Sequence, residues 1–226
     1  MCIRDRVEAT GKFVKALHNR KIEVYALLGA VEWGYEEDGA TLLAHLEKIV
    51  QYNVQSSEKE KFDGVMLDIE PYISDSWKEN PEEYMDRYIS CMKKGYKFAQ
   101  KNHLRTAICI PRHYDNQGLT SGLEELIKET CDEVAVMNYS CGNEIEAIRT
   151  EAALSEKYGK ELHCILEFQE VGKHGLTENK TYRNKGIDNA KETWEKLQKE
   201  YKNINVTRDY HWSRPVREML EEKNAD

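Results

Sequence analysis

Residues 62–72 read Phe62-Asp63-Gly64-Val65-Met66-Leu67-Asp68-Ile69-Glu70-Pro71-Tyr72. This stretch predicts a short strand that ends in two acids. Successive side chains of a strand point to opposite faces, so Asp68 and Glu70 share one face, with Cα atoms about 6.6 Å apart. Leu67 and Ile69 take the other face, and Pro71 ends the strand because it has no N–H to donate. At an effective dielectric constant of about 20, the two carboxylates repel each other by about 3 kcal/mol, which favours one protonated and one ionised group at neutral pH.

Similar β-rich runs recur along the chain and are separated by helical patterns. The predicted strands are Ile22–Leu28, Gly64–Ile69, Thr106–Ile110, Glu133–Asn138, Glu161–Leu166 and Asn203–Tyr210. Apolar residues every three or four positions predict helices, which span Val7–His18, Thr41–Val50, Asn80–Asn102, Glu144–Tyr158 and Asn184–Tyr201. Strands that alternate with helices predict βα units and a parallel sheet.

Two architectures fit this alternation, an open doubly wound sheet and a (β/α)8 TIM barrel. A doubly wound nucleotide-binding protein needs a glycine-rich turn after an early strand, and neither G-x-G-x-x-G nor G-x-x-x-x-G-K-[ST] occurs. Polar and aromatic residues follow nearly every strand instead, where a barrel builds its active site. We therefore predict a single TIM-barrel domain over 1–226. It has about six βα units, with two expected before residue 7 and with residues 1–6 outside the native domain sequence.

The overall composition narrows the function classes. The chain has 33 Lys and Arg against 41 Asp and Glu, a formal charge of −8, which argues against a nucleic-acid or anionic-membrane surface. No apolar run reaches the length of a membrane span. The six cysteines form no C-x-x-C pair and are predicted to be buried, reduced thiols. We expect no metal and no cofactor. The first six residues are not a signal peptide, and the compartment stays open.

The motif at residues 63–70 resembles the signature strand of glycoside hydrolase family 18, which contains chitinases and endo-β-N-acetylglucosaminidases. That family carries D-G-x-D-x-D-x-E on its fourth barrel strand. Asp63, Gly64, Asp68 and Glu70 match it, whereas Met66 stands where the family has its first inner aspartate. The resemblance runs from the third strand, Ile22–Gly29, to the end of the chain.

Two further parts of the sequence support the resemblance. Met137-Asn138-Tyr139 is similar to the M-x-Y of the sixth strand, with Ser140 where an aspartate is usual. Trp212-Ser213 follows the last strand, where the family has a tryptophan under the sugar.

The resemblance implies retaining hydrolysis assisted by the substrate, an exception to the scheme with two catalytic carboxylates. Glu70 would protonate the leaving oxygen, and the acetamido oxygen of the substrate would attack the anomeric carbon. Asp68 would orient the acetamido group, and the Tyr139 hydroxyl would hold it. Trp212 would stack on the sugar ring.

Further substrate contacts are predicted at the ends of the strands. These candidates are Trp33, Tyr72, Arg112, His113, Asn138, Glu167, Gln169 and Tyr210. Several have equally ordinary structural explanations. Trp33 and Tyr72 could simply pack at the rim of the barrel, and Arg112 could pair with Asp115 or Glu70.

Three hypotheses follow from these observations. The first is a monomeric glycosidase that cleaves β-linked N-acetylglucosamine-containing glycans. The second is a non-catalytic, lectin-like barrel of the same family, for which Met66 and Ser140 argue and against which Glu70 argues. The third is a barrel enzyme that uses Asp68 and Glu70 on glycans without an acetamido group.

Overall fold

The structure is a computed structural model that describes the backbone of residues 3–223 and the side chains of residues 7–222. Met1 and Cys2 lie outside the described residues, as do the side chains up to residue 6. The expectation that residues 1–6 are foreign to the domain therefore stays a prediction. None of the described helices is long and apolar enough to cross a membrane.

All six predicted strands are present. They are β1 Tyr25–Leu28, β2 Gly64–Leu67, β3 Arg105–Pro111, β4 Glu133–Met137, β5 Glu161–Glu167 and β6 Val206–His211. The α-helices in the described part are α1 Ile3–His18, α2 Ala40–Gln55, α3 Asp75–Glu79, α4 Pro81–Lys101, α5 Thr120–Thr130, α6 Glu144–Ala147, α7 Arg149–Tyr158, α8 Ile187–Glu200 and α9 Ser213–Lys223.

The strand order confirms the predicted fold class. The strands follow one another in the sheet in chain order, from β1 to β6, and the pairings β1–β2, β2–β3, β4–β5 and β5–β6 are parallel. A doubly wound sheet reverses its strand order at a switch point, and this sheet does not. The chain therefore has six consecutive βα units of the (β/α)8 type.

The chain divides into two compact units. The N-terminal unit holds residues 1–108 and 129–132, and the C-terminal unit holds residues 109–128 and 133–226. The expectation of a single domain stays a prediction.

In the N-terminal unit, burial alternates along β2 and just beyond it. Val65, Leu67 and Ile69 are at most 1% exposed, whereas Met66 is only half-buried, as are Asp68 and Glu70. The apolar set packs in the core of the unit, where α4 contributes buried residues including Tyr88 and Met92. The period of two along the strand thus sets the acidic face apart from the core, as the sequence predicts.

In the C-terminal unit, β5 alternates in the same way. Leu162, Cys164 and Leu166 are fully buried, and the Trp194 indole of α8 donates to the carbonyl oxygen of Cys164 at 2.9 Å. The opposite face carries His163 and Glu167, which are polar and bonded to β6.

The cysteines in the described part are free thiols. Cys91, Cys109, Cys131 and Cys164 are buried, and Cys141 is half-buried. Burial raises the pKa of the Cys91 thiol to about 12, which keeps it protonated at neutral pH. These cysteines therefore pack as small apolar residues.

A glycine brings the end of β1 against the end of β2. The Asp68 N–H donates to the carbonyl oxygen of Leu28 at 2.8 Å. A Cβ atom added at Gly29 would lie 1.8 Å from the carbonyl oxygen of Asp68. A side chain at position 29 would therefore displace the backbone that carries Asp68.

We predict that Gly29→Ala destabilises the protein by about 1–3 kcal/mol, because the added methyl group cannot be accommodated without backbone movement. Gly11→Ala is the matched control. A Cβ atom there meets only Glu60, at 3.5 Å, and the change should stabilise α1 by about 0.5–1 kcal/mol. Urea unfolding of both variants measures the two changes, and equal effects of the two alanines would contradict the close-contact argument.

Candidate active site

The carboxylate pair lies where β2 ends. The strand stops at Leu67, two residues earlier than predicted, because the chain turns at Glu70 into a 3₁₀-helix over Pro71–Ile73. The Tyr72 hydroxyl donates to Oε1 of Glu70. The second oxygen, Oε2, accepts no hydrogen bond from the residues that the structure describes.

The turn that carries Glu70 is held by a 3₁₀-helix over Val31–Tyr35, which follows β1. The Tyr35 hydroxyl donates to the carbonyl oxygen of Pro71 at 3.0 Å. Trp33 lies in the same helix, and its ring packs against the His45 ring, with centroids 4.5 Å apart. Trp33 therefore has a packing contact in addition to its predicted contact with substrate.

Asp63, the first acid of the motif, has a structural role at the other end of β2. Its Oδ2 accepts hydrogen bonds from the Val24 N–H at 2.7 Å and from His18 Nε2 at 2.9 Å. The bond to Asp63 raises the pKa of His18 above its ordinary value. This acid thus ties α1 and the start of β1 to the strand that carries Glu70.

In the C-terminal unit, Glu167 is the centre of a polar network. It is 2% exposed, and its Oε1 accepts the N–H groups of Phe168 and Gln169 at 2.8 Å. Its Oε2 accepts hydrogen bonds from Nε2 of Gln169 at 3.2 Å and from Nδ1 of His211 at 2.9 Å. Burial opposes ionisation, but these hydrogen bonds outweigh it and hold the pKa of Glu167 below its ordinary value. Glu167 is therefore an ionised, fixed hydrogen-bond acceptor.

Aromatic side chains lie beside this network. The Tyr139 ring centre is 6.0 Å from the His211 ring centre. Trp212, the next residue, is 45% exposed and lines a cavity of about 90 Å³ together with Gln169. The structure thus brings Tyr139, Glu167, Gln169 and Trp212 together. His211 is not among the predicted substrate contacts, although its position at the end of β6 beside Trp212 is typical of a site residue in a barrel.

Arg112 and His113 follow β3 and are half-buried. Burial, with the charge of Arg112, lowers the pKa of His113, so this ring is neutral at pH 7. Asp115, one predicted partner of Arg112, accepts instead from the Thr150 hydroxyl at 2.7 Å. Glu151 on α7 is fully buried, and neither of its oxygens has a hydrogen-bond partner in the described part of the chain. Burial raises the pKa of Glu151 to about 7.

Two of the predicted substrate contacts have structural contacts in the fold. Asn138 is 1% exposed, and its Nδ2 donates to the Glu144 carbonyl oxygen at 2.9 Å, so it braces a loop. Tyr210 lies on the face of β6 that packs under α8, with its ring centre 4.7 Å from that of Trp194. The pattern places both residues near the ends of strands, but it does not reveal these packing contacts.

The predicted site residues are divided between the two units. Trp33, Asp68, Glu70 and Tyr72 belong to the N-terminal unit. The C-terminal unit holds Arg112, His113, Tyr139, Glu167, Gln169 and Trp212.

One cluster of described side chains has the composition of a metal site. Donor atoms of Glu133, Glu161 and His163 lie within 4.8 Å of one another. His163 uses both ring nitrogens, Nε2 with Glu133 at 2.9 Å and Nδ1 with Asp209 at 3.0 Å. Burial disfavours the charged ring, but the bonds to the two carboxylates raise the pKa of His163 to about 9. The cluster therefore holds a proton at neutral pH.

Comparison with known proteins supports a TIM-barrel-like fold. No family model matches the sequence, and a search of curated proteins gives no match. A dihydropteroate synthase from Anaplasma phagocytophilum shares 10% identity, with a TM-score of 0.54 over 90% of this chain and 73% of its own. A GH18 chitinase from Pseudoalteromonas aurantia shares 11% identity, with a TM-score of 0.50 over 93% of this chain and 80% of its own.

A third neighbour is the second catalytic domain of a Group II chitinase from Ostrinia furnacalis. It shares 15% identity, with a TM-score of 0.46 over 78% of this chain and 54% of its own. The first two neighbours establish a TIM-barrel-like fold. Because their names imply different chemistries, the fold by itself does not choose between them.

The His163 cluster makes stability depend on pH. The pKa of His163 is about 9 in the folded protein and about 6.5 in the unfolded chain. The stability that the charged ring contributes is therefore complete below pH 6.5 and is lost as the pH rises through 9. The shift corresponds to at most about 3 kcal/mol. We predict that the free energy of unfolding of wild type exceeds that of His163→Gln at pH 6, and that this difference is lost at pH 10. Urea unfolding at the two pH values measures it.

The control for this measurement is His174→Asn, which alters an exposed histidine of the same unit. It should follow wild type at both pH values. A constant difference between wild type and His163→Gln across the range would show that the ring does not carry the charge.

Proposed function

We propose that the chain is a glycoside hydrolase that cleaves β-linked N-acetylglucosamine-containing glycans with retention of configuration. The observation that carries the proposal is the placement of Asp68 and Glu70 on one half-buried face at the end of β2, with Val65, Leu67 and Ile69 buried behind them. The barrel fold that places these acids at the C-terminal end of a strand supports it.

Glu70 serves as the general acid. Its Oε1 is held by the Tyr72 hydroxyl, which fixes the orientation of the carboxyl group. The proton on Oε2 passes to the glycosidic oxygen as the bond to the anomeric carbon breaks. A general acid of this kind typically contributes about 10²- to 10⁴-fold in rate.

Asp68 assists the second part of the reaction. The acetamido oxygen of the substrate attacks the anomeric carbon from the opposite face and forms a cyclic oxazolinium intermediate. The Asp68 carboxylate accepts the acetamido N–H and stabilises the positive charge. Water then opens the ring as Glu70 takes up a proton, which restores the enzyme.

The C-terminal unit carries candidate sugar contacts of its own. The exposed Trp212 ring offers a flat apolar face for stacking. Glu167 is ionised and rigid, which suits an acceptor for sugar hydroxyls, and Gln169 beside it offers an amide. Arg112 and the neutral His113 are further candidates for polar contacts.

Met66 favours a second candidate function. It occupies the Asp68 face of β2, and a thioether neither holds a proton nor accepts a strong hydrogen bond. This departure from the family pattern fits a lectin-like protein that binds glycans without cleaving them. In a glycosidase, Met66 should make turnover slower without abolishing it.

The mutation that tests catalysis is Glu70→Gln, which keeps the shape of the side chain but removes its proton. We predict that kcat on a glycan with a poor leaving group falls by about 10²- to 10⁴-fold. An activated aryl leaving group needs less protonation, so it should partly rescue Glu70→Gln but not Asp68→Asn. Glu82→Gln, which alters an exposed carboxylate on α4, is the control and should retain full activity.

The result of this experiment separates the two functions. Loss of activity in both site variants, with rescue of only one, supports the assignment of roles. Wild-type protein that binds chito-oligosaccharides without cleaving them, and that Glu70→Gln matches in affinity, would establish the lectin-like alternative.

A second prediction concerns the acetamido group. If it is the nucleophile, β-aryl N-acetylglucosaminides should be hydrolysed and the matching glucosides should not, and a thiazoline analogue of the intermediate should inhibit. Initial rates on the two substrates at equal concentration provide the measurement. Equal rates would show that Asp68 and Glu70 act on glycans without help from the substrate.

A further inference from the structure

The C-terminal unit contains a second cavity that the proposed reaction does not use. Its volume is about 580 Å³, and it opens between residues 142–146, which follow β4, and the helix α8. Pockets for small molecules usually measure about 300–1,000 Å³. The size therefore suits a ligand of one or two sugar rings.

A buried hydrogen-bonded chain forms the floor of this cavity. Glu144 is 7% exposed, and its Oε1 accepts the Gly142 N–H at 2.8 Å and the Tyr182 hydroxyl. The Tyr182 oxygen also lies 2.8 Å from Oγ1 of Thr193. Burial, with the nearby Glu144 carboxylate, raises the pKa of Tyr182, so its hydroxyl stays a neutral donor. The floor is rigid and needs no ligand to form.

One oxygen of this floor is open to a ligand. Both hydrogen bonds that Glu144 accepts from described residues reach Oε1, and the residue lines the cavity. A ligand hydroxyl can therefore donate to Oε2 without displacing a protein donor.

Two lysines and three glutamates carry the charges of the cavity lining. The lysines are Lys185 and Lys196, and neither forms an ion pair with a described residue. By contrast, Lys173 and Lys191 in the same unit pair with acids at 2.9 and 3.2 Å. Two free ammonium groups at one opening favour a ligand with a negative charge.

Neutral and acidic groups complete the rim. Asn143 and Asn189 offer amides that both donate and accept. Glu146 is paired with Arg149, whereas Glu200 can accept further hydroxyl protons. The lining thus combines cations for one anionic group with acceptors for several hydroxyl groups.

We infer that this cavity binds an acidic sugar, meaning a small polyhydroxylated ring with one carboxylate or phosphate group. The anionic group lies between Lys185 and Lys196, and a ring hydroxyl donates to Oε2 of Glu144. The inference involves neither Asp68 nor Glu70 and stands whether or not the proposed reaction is correct.

The test is calorimetric titration of the whole chain with glucuronate, glucose 6-phosphate, glucose and inorganic phosphate. Saturable binding of at least one of the two acidic sugars is expected, with affinity at least tenfold above that of glucose and of phosphate. The double variant Lys185→Gln/Lys196→Gln should bind the acidic sugar with at least tenfold lower affinity. The matched double variant Lys199→Gln/Lys202→Gln removes two exposed charges outside the cavity and should bind as wild type.

Backbone amide NMR gives a second readout that is independent of the variants. Addition of the bound acidic sugar should shift the amide signals of Gly142 and Asn189. Equal affinity for glucose and glucuronate would overturn the inference, as would equal binding of phosphate alone. Shifts confined to residues around Trp212 would also overturn it, because they would assign the ligand to the other site.

Discussion

The contact between Gly29 and the carbonyl oxygen of Asp68 fixes how the end of β1 meets the end of β2. Only a residue without a side chain fits there, and the same approach allows the Asp68 N–H to bond to Leu28. With the backbone of Asp68 fixed, the period of two along the strand determines which side chains face the core. The placement of Glu70 on the open face is therefore a consequence of backbone packing.

The buried carboxylates of the C-terminal unit show how the number of hydrogen-bond donors determines what a buried carboxylate can do. Glu167 receives four hydrogen bonds on its two oxygens and stays ionised. Glu151 receives none from the described residues, and burial raises its pKa to about 7. Glu144 is half bonded, since both donors that it has among the described residues reach the same oxygen. A fully bonded carboxylate is a fixed acceptor, whereas a half-bonded one beside a cavity has capacity for a ligand.

Sequence periodicity predicts most of the fold because burial on both sides of a strand leaves a strong apolar signal. All six strands were found within a few residues, and the stripe of α8 that includes Trp194 and Leu197 is buried. The direction of single side chains past the strand ends is harder to predict. Asn138 and Tyr210 follow the same pattern as Tyr139, and only tertiary packing turns them towards a loop and a helix. His211 was overlooked because its bond to Glu167 joins residues 44 positions apart.

The two fold neighbours show why the chemistry must be argued from individual side chains. A dihydropteroate synthase and a chitinase resemble the chain to a similar degree, and a barrel supports many reactions through the residues at the ends of its strands. What favours glycan cleavage is an acid with one oxygen held by a tyrosine and the other left open, beside a second acid on the same face. The proposed chemistry rests on this pair, since Met66 stands where the family pattern has its first inner aspartate. The proposed reaction therefore depends on Asp68 and Glu70 together, with the substrate supplying the nucleophile.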